Sequence, residues 1–277
     1  MVILTPIEKY KDILLKRDDK FTLEKVCGGK LRQAIWLIEK NLFAIKTKHN
    51  GVVVAYCNLK SPQSAIISVV ARCYGLVCNI ISPKTNKPNL NLDIAKEYGA
   101  NIFYAPIGYP SVLKSMAKKL FPNAFFINMG FESTDIIDAN MKQVKNLPDD
   151  LDYLIIPVGS AMNFISIIKG LEKYNIKPKK IVGVYVGREP YTTIVKYLGE
   201  DYYNYAGLKI EIVQSHYKYS DMVDVDNFYF DPIYEAKAYR FIEENYFITK
   251  KKCLLWVIGK RALKPQPSSF RLNNFCC

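Results

Sequence analysis

Short β-branched runs alternate with stretches of helical apolar spacing over most of this chain. That rhythm confines it to folds built on parallel sheets with helices on both faces. Residues 51–57, with Val52, Val53, Val54, Ala55 and Tyr56, read as a strand. In 62–74, Ala65, Val69 and Cys73 recur at helical spacing and Gly75 follows as a terminator. Strands at 76–81, 101–104 and 124–128 and helices at 91–98 and 110–120 continue the pattern. It resumes with strands at 151–158, 180–186, 208–213 and 253–258, and with helices at 162–174, 190–198 and 232–246. The block 47–129 holds four strands with three helices between them and is expected to form a small α/β domain. Segments 1–46 and 130–277 are expected to form a larger one. The expected class is therefore α/β, two three-layer α/β/α domains with mostly parallel sheets and a ligand cleft between them. In such sheets ligands sit at the carboxyl ends of the strands.

Composition removes several classes of function. Hydrophobic residues make up 49% of the chain, which suits a packed core. No apolar run reaches the roughly 18 residues of a membrane span, and the start at Met1 has no basic, then apolar, leader. A cytoplasmic protein away from the membrane is expected. The seven cysteines include no CxxC pair and only His49 and His216 could join them, so a zinc site is not expected and the thiols read as reduced. Net charge is +13, from 39 basic against 26 acidic residues. A basic surface attracts phosphates, acidic metabolites or DNA. The abundance of Lys, Asn, Ile and Tyr also fits AT-rich coding, so charge alone names no partner.

Four motifs carry candidate chemistry. In Gly28-Gly29-Lys30-Leu31-Arg32, a lysine follows two glycines and opens a helix over 31–41. A lysine so placed can point into a cleft and form a Schiff base when a buried or cationic setting lowers its pKa. In Ser61-Pro62-Gln63-Ser64, Ser61 is a natural N-cap and Pro62 fits the first helical position. The N–H groups of such a helix start can also grip a carboxylate. Gly159-Ser160-Ala161-Met162-Asn163 joins a strand to a helix, where free N–H groups and the helix dipole suit a phosphate. Turns of this kind also serve geometry alone, and neither GxxxxGK[ST] nor GxGxxG is present. Asp231-Pro232-Ile233-Tyr234-Glu235 puts an acid in the first turn of a helix, either to complement its dipole or to meet a protonated ring nitrogen.

In this order the motifs resemble those of the aminocyclopropane-carboxylate deaminase and D-cysteine desulfhydrase branch of fold type II pyridoxal-phosphate enzymes, in the tryptophan synthase β superfamily. The resemblance starts at Thr5-Pro6-Ile7-Glu8-Lys9 and runs through Lys16-Arg17-Asp18-Asp19 and the four motifs to the turn after Leu254. It implies pyridoxal 5′-phosphate as cofactor, held by Lys30 as a Schiff base. It implies that Gly159, Ser160, Ala161, Met162 and Asn163 cradle the phosphate and that Glu235 pairs with the pyridine nitrogen. Ser61, Gln63 and Ser64 would hold the substrate carboxylate, and Tyr234 would face the amine or Cα. Lys30, Ser61 and Tyr234 are the implied catalytic residues. A homodimer is implied as well.

The chain departs from the family pattern at several points. Pro62 stands where the family has Asn, Gly29 where an Asn precedes the lysine, Ile258 where a polar side chain is usual, and Lys260 where a Gly is usual. The loop that bears a further tyrosine is short, leaving Tyr217 and Tyr219 as alternatives. The resemblance implies a lyase- or deaminase-like enzyme acting on an amino acid at Cα or Cβ. One alternative is a phage-type pyridoxal enzyme acting on an amino acid attached to a modified DNA base. Another is a family member that has lost catalysis.

Overall fold

The computed structural model describes residues 3–106, 108–226 and 228–260. In chain order it opens with strands β1 (Ile7–Tyr10), β2 (Ile13–Arg17), β3 (Thr22–Leu23) and β4 (Val26–Cys27), then helix α1 (Gly29–Lys48). The alternation follows as β5 (Val52–Tyr56), α2 (Gln63–Cys73), β6 (Val77–Pro83), α3 (Leu90–Glu97), β7 (Asn101–Ala105), α4 (Pro110–Leu120) and β8 (Phe125–Ile127). After a stretch of short turns come α5 (Asp138–Met141), β9 (Tyr153–Val158), α6 (Met162–Lys173), β10 (Lys180–Tyr185), α7 (Tyr191–Leu198) and β11 (Ile210–Gln214). The described chain closes with α8 (Glu235–Glu244), α9 (Tyr246–Thr249) and β12 (Cys253–Val257). It is a mixed α/β protein with mostly parallel sheets.

The described residues divide into two compact units, 22–136 and 3–21 with 137–260. In the first, four parallel strands run in the order β7-β6-β5-β8. Strand β5 is buried on both faces, which is why it is an unbroken apolar run. One face, Val54 and Tyr56 with Ile81, packs on Leu113 and Ala117 of α4. Helix α1 belongs to this unit, although the sequence grouped 1–46 with the larger part. Its buried stripe of Leu31, Ala34, Ile38 and Ile45 follows helical spacing and lies against α2 and β5. It also runs on past the expected 31–41, to Lys48.

The second unit is a six-stranded sheet in the order β1-β2-β12-β9-β10-β11. All pairs from β2 to β11 are parallel, and β1 joins as an antiparallel hairpin. One face buries Leu15, Ile155, Val182 and Leu255 against Ala236 and Ala238 of α8. On β10, Gly183 leaves room for neighbours: a Cβ there would lie 2.7 Å from Ile212 Cδ1 and 3.0 Å from Phe164 Cε2 of α6. Because the strands are parallel, the chain leaves β2, β12, β9 and β10 along one shared edge. The expected helix at 232–246 begins later, at Glu235, and breaks at Asn245 into α8 and α9. Segment 261–277 of the larger expected domain lies outside the described residues.

Candidate active site

Each unit carries half of the expected residues. In the 22–136 unit, Gly28 adopts φ 95° and ψ −174° just before α1, a conformation open to glycine, and its carbonyl accepts the N–H groups of Leu31 (3.0 Å) and Arg32 (3.2 Å). That turn sets Lys30 as the second residue of α1, half-buried. Burial pushes the thiol of Cys57, just past β5, far up, neighbouring Cys78 adds to this, and the Lys30 ammonium pulls it back. Lys30 is thus electrostatically coupled to the carboxyl end of the central strand.

The loop after β5 is held by Asn58, whose Oδ1 accepts the N–H groups of Lys60 (3.0 Å) and Ser61 (2.9 Å). Ser61 is buried, and its Oγ accepts the Gln63 N–H at 3.3 Å. Pro62 takes the cap position and the helix starts one residue later than expected, at Gln63. The Ser61 hydroxyl, an acceptor toward the backbone, keeps its own proton for donation. The Gln63 amide is engaged with the protein itself: Nε2 donates to Asn128 O (2.8 Å) and Oε1 accepts the Gly130 N–H (2.7 Å). Ser64 is buried, and its carbonyl accepts Ser68 Oγ at 2.7 Å.

In the other unit β9 ends at Val158 and the turn enters α6 through Ala161, which sits in the left-handed region at φ 64°. A left-handed non-glycine residue is strained, which a small side chain tolerates best. The first N–H groups of α6 face the turn without partners in the helix, as at any helix start. Asn163 is buried, and its Oδ1 accepts Asn140 Nδ2 at 2.7 Å. Gly159 is a seat: a Cβ there would stand 3.0 Å from Cε1 of Tyr234. Burial, then Tyr219, hold the Tyr234 hydroxyl well above the usual tyrosine range, so it remains a donor at neutral pH.

Next to Tyr234 in sequence, Glu235 opens α8 and is 3% exposed. Its Oε1 accepts the Gly259 N–H at 3.1 Å. Burial first, and the Asp231 charge second, raise its carboxyl well above the ordinary range. Asp231 Oδ1 in turn accepts the N–H groups of Ile233 (2.9 Å) and Tyr234 (3.2 Å), fixing the turn that presents both residues. Asp19, at the end of β2, is gripped by Arg17 through two contacts of 2.8 Å and by Lys260 at 3.1 Å. In the turn that carries the Ile258 and Lys260 departures, Gly259 meets Glu235 and Lys260 meets Asp19.

The two loose tyrosines stand in different surroundings. Tyr217 packs into the apolar core beside α8. Tyr219 lies over Gly187, where a Cβ would be 3.2 Å from its own Cβ, with its ring centroid 6.2 Å from that of Tyr234. Two glycines just beyond neighbouring strands thus seat two tyrosines side by side. Sequence reasoning passed over Gly187 because a lone Gly after a strand is a common turn.

One unit holds a glycine turn at a helix start and a buried acid one residue from the tyrosine packed on that turn, residue types that suit the phosphate and the ring nitrogen of a phosphorylated pyridine aldehyde; the other holds a lysine at a glycine-framed helix start, which suits the aldehyde. The Gly159 seat and the buried acid fit that group without change. The chain belongs to the pyridoxal-phosphate dependent enzyme family, whose sequence profile matches residues 4–220. It is 29% identical over 209 residues to the O-seryl-dTMP PLP-dependent decarboxylase of Salmonella phage ViI, covering 64% of this chain. The chain spans about half of that relative's length, 48%. In fold it is similar to an ACC deaminase homologue, with TM-score 0.76, 18% identity and coverage of 94% of this chain and 90% of that one. It is also similar to the processed threonine deaminase isoform 2 of Solanum lycopersicum, with TM-score 0.66, 15% identity and coverage of 95% and 80%. The fold is that of type II pyridoxal enzymes, and the cofactor is pyridoxal 5′-phosphate.

Proposed function

We propose that this enzyme breaks a bond at the α-carbon of an amino-acid unit carried on a nucleotide of DNA, with Lys30 as its cofactor lysine and proton carrier. The observation that carries the cofactor assignment is Tyr234, which packs on Gly159 and precedes Glu235. That packing supports the reading that one unit supplies partners for the two far ends of the same small molecule. Pyridoxal 5′-phosphate, when bound, supplies an electron sink for the charge left at the α-carbon.

The remaining work belongs to the chain. The Gly159–Asn163 turn donates N–H groups to the phosphate. Glu235, whose carboxyl burial holds well above its ordinary range, would face the ring nitrogen and balance the positive charge there. Ser61 and the first N–H groups of α2 receive the α-carboxylate, with Gln63 and Ser64 lining that helix start. The Lys30 amine takes or returns the proton at the α-carbon. Tyr234 and Tyr219 donate hydrogen bonds to the substrate's polar groups.

Two observations support a nucleotide-borne substrate. The phage relative is named for a seryl group on thymidine monophosphate. Residues 40–92, which include the Ser61 loop, contain no Asp or Glu but six lysines and an arginine. For such a substrate, loss of the carboxylate as CO2 and return of one proton to the same carbon leaves an aminoethyl group on the nucleotide. A free amino acid is the second reading, favoured by the Ser61 helix start, which needs only an α-carboxylate. We place the active homodimer in the cytoplasm.

The test is a comparison of substrates. Enzyme loaded with cofactor is given serine-modified DNA, the modified nucleotide, or free serine, and CO2 and ammonia are measured. CO2 from the nucleotide-borne serine is the expected result. Ammonia from free serine with no reaction on the modified DNA would establish the second reading instead. Borohydride reduction and peptide mapping should find the cofactor on Lys30, and Lys30→Ala should abolish both label and turnover.

A further inference from the structure

Gln33 lies three residues after Lys30 in α1 and is fully buried. Neither its Nε2 nor its Oε1 meets a hydrogen-bond partner among the described residues. Other buried amides of the same unit are used: Gln63 bridges Asn128 and Gly130, and Asn79 accepts from Asn101. A buried, unpaired amide destabilises a protein where an apolar side chain of the same length would not. Its retention here calls for a partner that arrives from outside the chain.

Position and chemistry name that partner. Helical side chains lean toward the helix N-terminus and residues three apart are neighbours, which directs the Gln33 side chain toward the first turn of α1, the turn that carries Lys30. Pyridoxal 5′-phosphate has four polar handles: its phosphate, its ring nitrogen, its aldehyde carbon and the ring hydroxyl ortho to that carbon. The Gly159 turn, Glu235 and Lys30 account for the first three. The fourth is adjacent to the carbon that Lys30 takes, so its partner must stand next to Lys30. Pro62 has no side-chain donor, and the Gln63 amide is held by backbone on both sides.

We propose that Gln33 is the hydrogen-bond donor to the ring hydroxyl oxygen of the cofactor, its Nε2–H meeting that oxygen as the Lys30 side chain gives way to the ring. This rests on the reading of Lys30 as the cofactor lysine.

The test compares wild type, Gln33→Met and Lys30→Ala. The melting temperature is measured without cofactor, and affinity is measured for pyridoxine 5′-phosphate. That compound keeps the ring hydroxyl and lacks the aldehyde, so its binding does not require a bond to Lys30. Gln33→Met should melt about 2–4 °C higher without cofactor, and bind pyridoxine 5′-phosphate about tenfold more weakly. A lower melting temperature would mean that the amide is already paired within the protein. A higher one with unchanged affinity would mean that the amide meets no ligand. Either result overturns the proposal. Gln33→Leu gives the same two readings on a second apolar shape should the Met variant fail to fold. If Lys30→Ala still fixes cofactor after borohydride reduction, the Lys30 reading fails, and the pyridoxine 5′-phosphate affinities still judge Gln33 by themselves.

Discussion

Glu235 shows how a single carboxyl links stability to cofactor binding. Burial and Asp231 raise its pKa in the folded protein. The folded chain therefore keeps a proton that the unfolded chain releases near its ordinary value of about 4.3. Stability without cofactor must then fall as pH rises from that value toward the folded pKa. Glu235→Gln removes the titration and keeps an oxygen for the Gly259 N–H. Its melting temperature without cofactor should exceed wild type at pH 7–8 and converge with it near pH 4, as differential scanning fluorimetry across pH would record. The same variant should lose most turnover, because Gln cannot hold the ring nitrogen protonated. Gly159 gives a second prediction at this scale. Its missing Cβ is the space taken by Tyr234, 3.0 Å away. Gly159→Ala must displace the ring or the turn, at about 1–3 kcal/mol. Cofactor affinity by spectral titration should drop with it.

At the scale of elements, helix α6 begins in the Gly159–Asn163 turn and is positioned by contact with α5. That contact is close at Gly170, where a Cβ would stand 2.5 Å from the carbonyl oxygen of Met141. The clash is with backbone, so a side chain cannot rotate away. Gly170→Ala should destabilise by about 1–3 kcal/mol and weaken cofactor binding although it touches no ligand; chemical denaturation and cofactor titration would measure both. The loop between β5 and α2 depends likewise on Asn58, which accepts two backbone N–H groups. Its loss in Asn58→Ala should cost about 1 kcal/mol, and on the proposed role of Ser61 as carboxylate holder it should be read mainly as a higher KM.

At the scale of the whole molecule, charge separates the two substrate readings. The chain carries +13, and its 40–92 segment has no acid. Neutralising DNA phosphates releases counterions, so binding of a DNA-borne substrate must weaken steeply with salt. KM for modified DNA should rise steeply, with a clear positive slope of log KM against log salt between about 50 and 200 mM, while KM for the modified mononucleotide should move little. The exposed Lys84 and Lys87 lie after β6, in the same unit as the Ser61 loop. Reversing both to Glu should raise KM for the DNA-borne substrate and spare the mononucleotide.

Local pattern was enough to read the alternating strands and helices and the order of the four motifs. Those follow from periodicity and turn chemistry, which neighbours in sequence determine. The β1–β2 hairpin was not legible, because β2 contains Lys16, fully buried with its ammonium on Thr5 O (2.7 Å) and Asn146 Oδ1 (2.6 Å). Partners that far apart along the chain leave no periodic trace. Tertiary structure alone placed α1 with the four-stranded sheet, set Tyr219 beside Tyr234, tied the Gln63 amide to backbone 65 and 67 residues away, and left the Gln33 amide without a partner among the described residues. Each of these depends on which distant segments meet. A chain fixes its elements by local preference, but the pairing of buried polar atoms is decided only when the packed interior is complete.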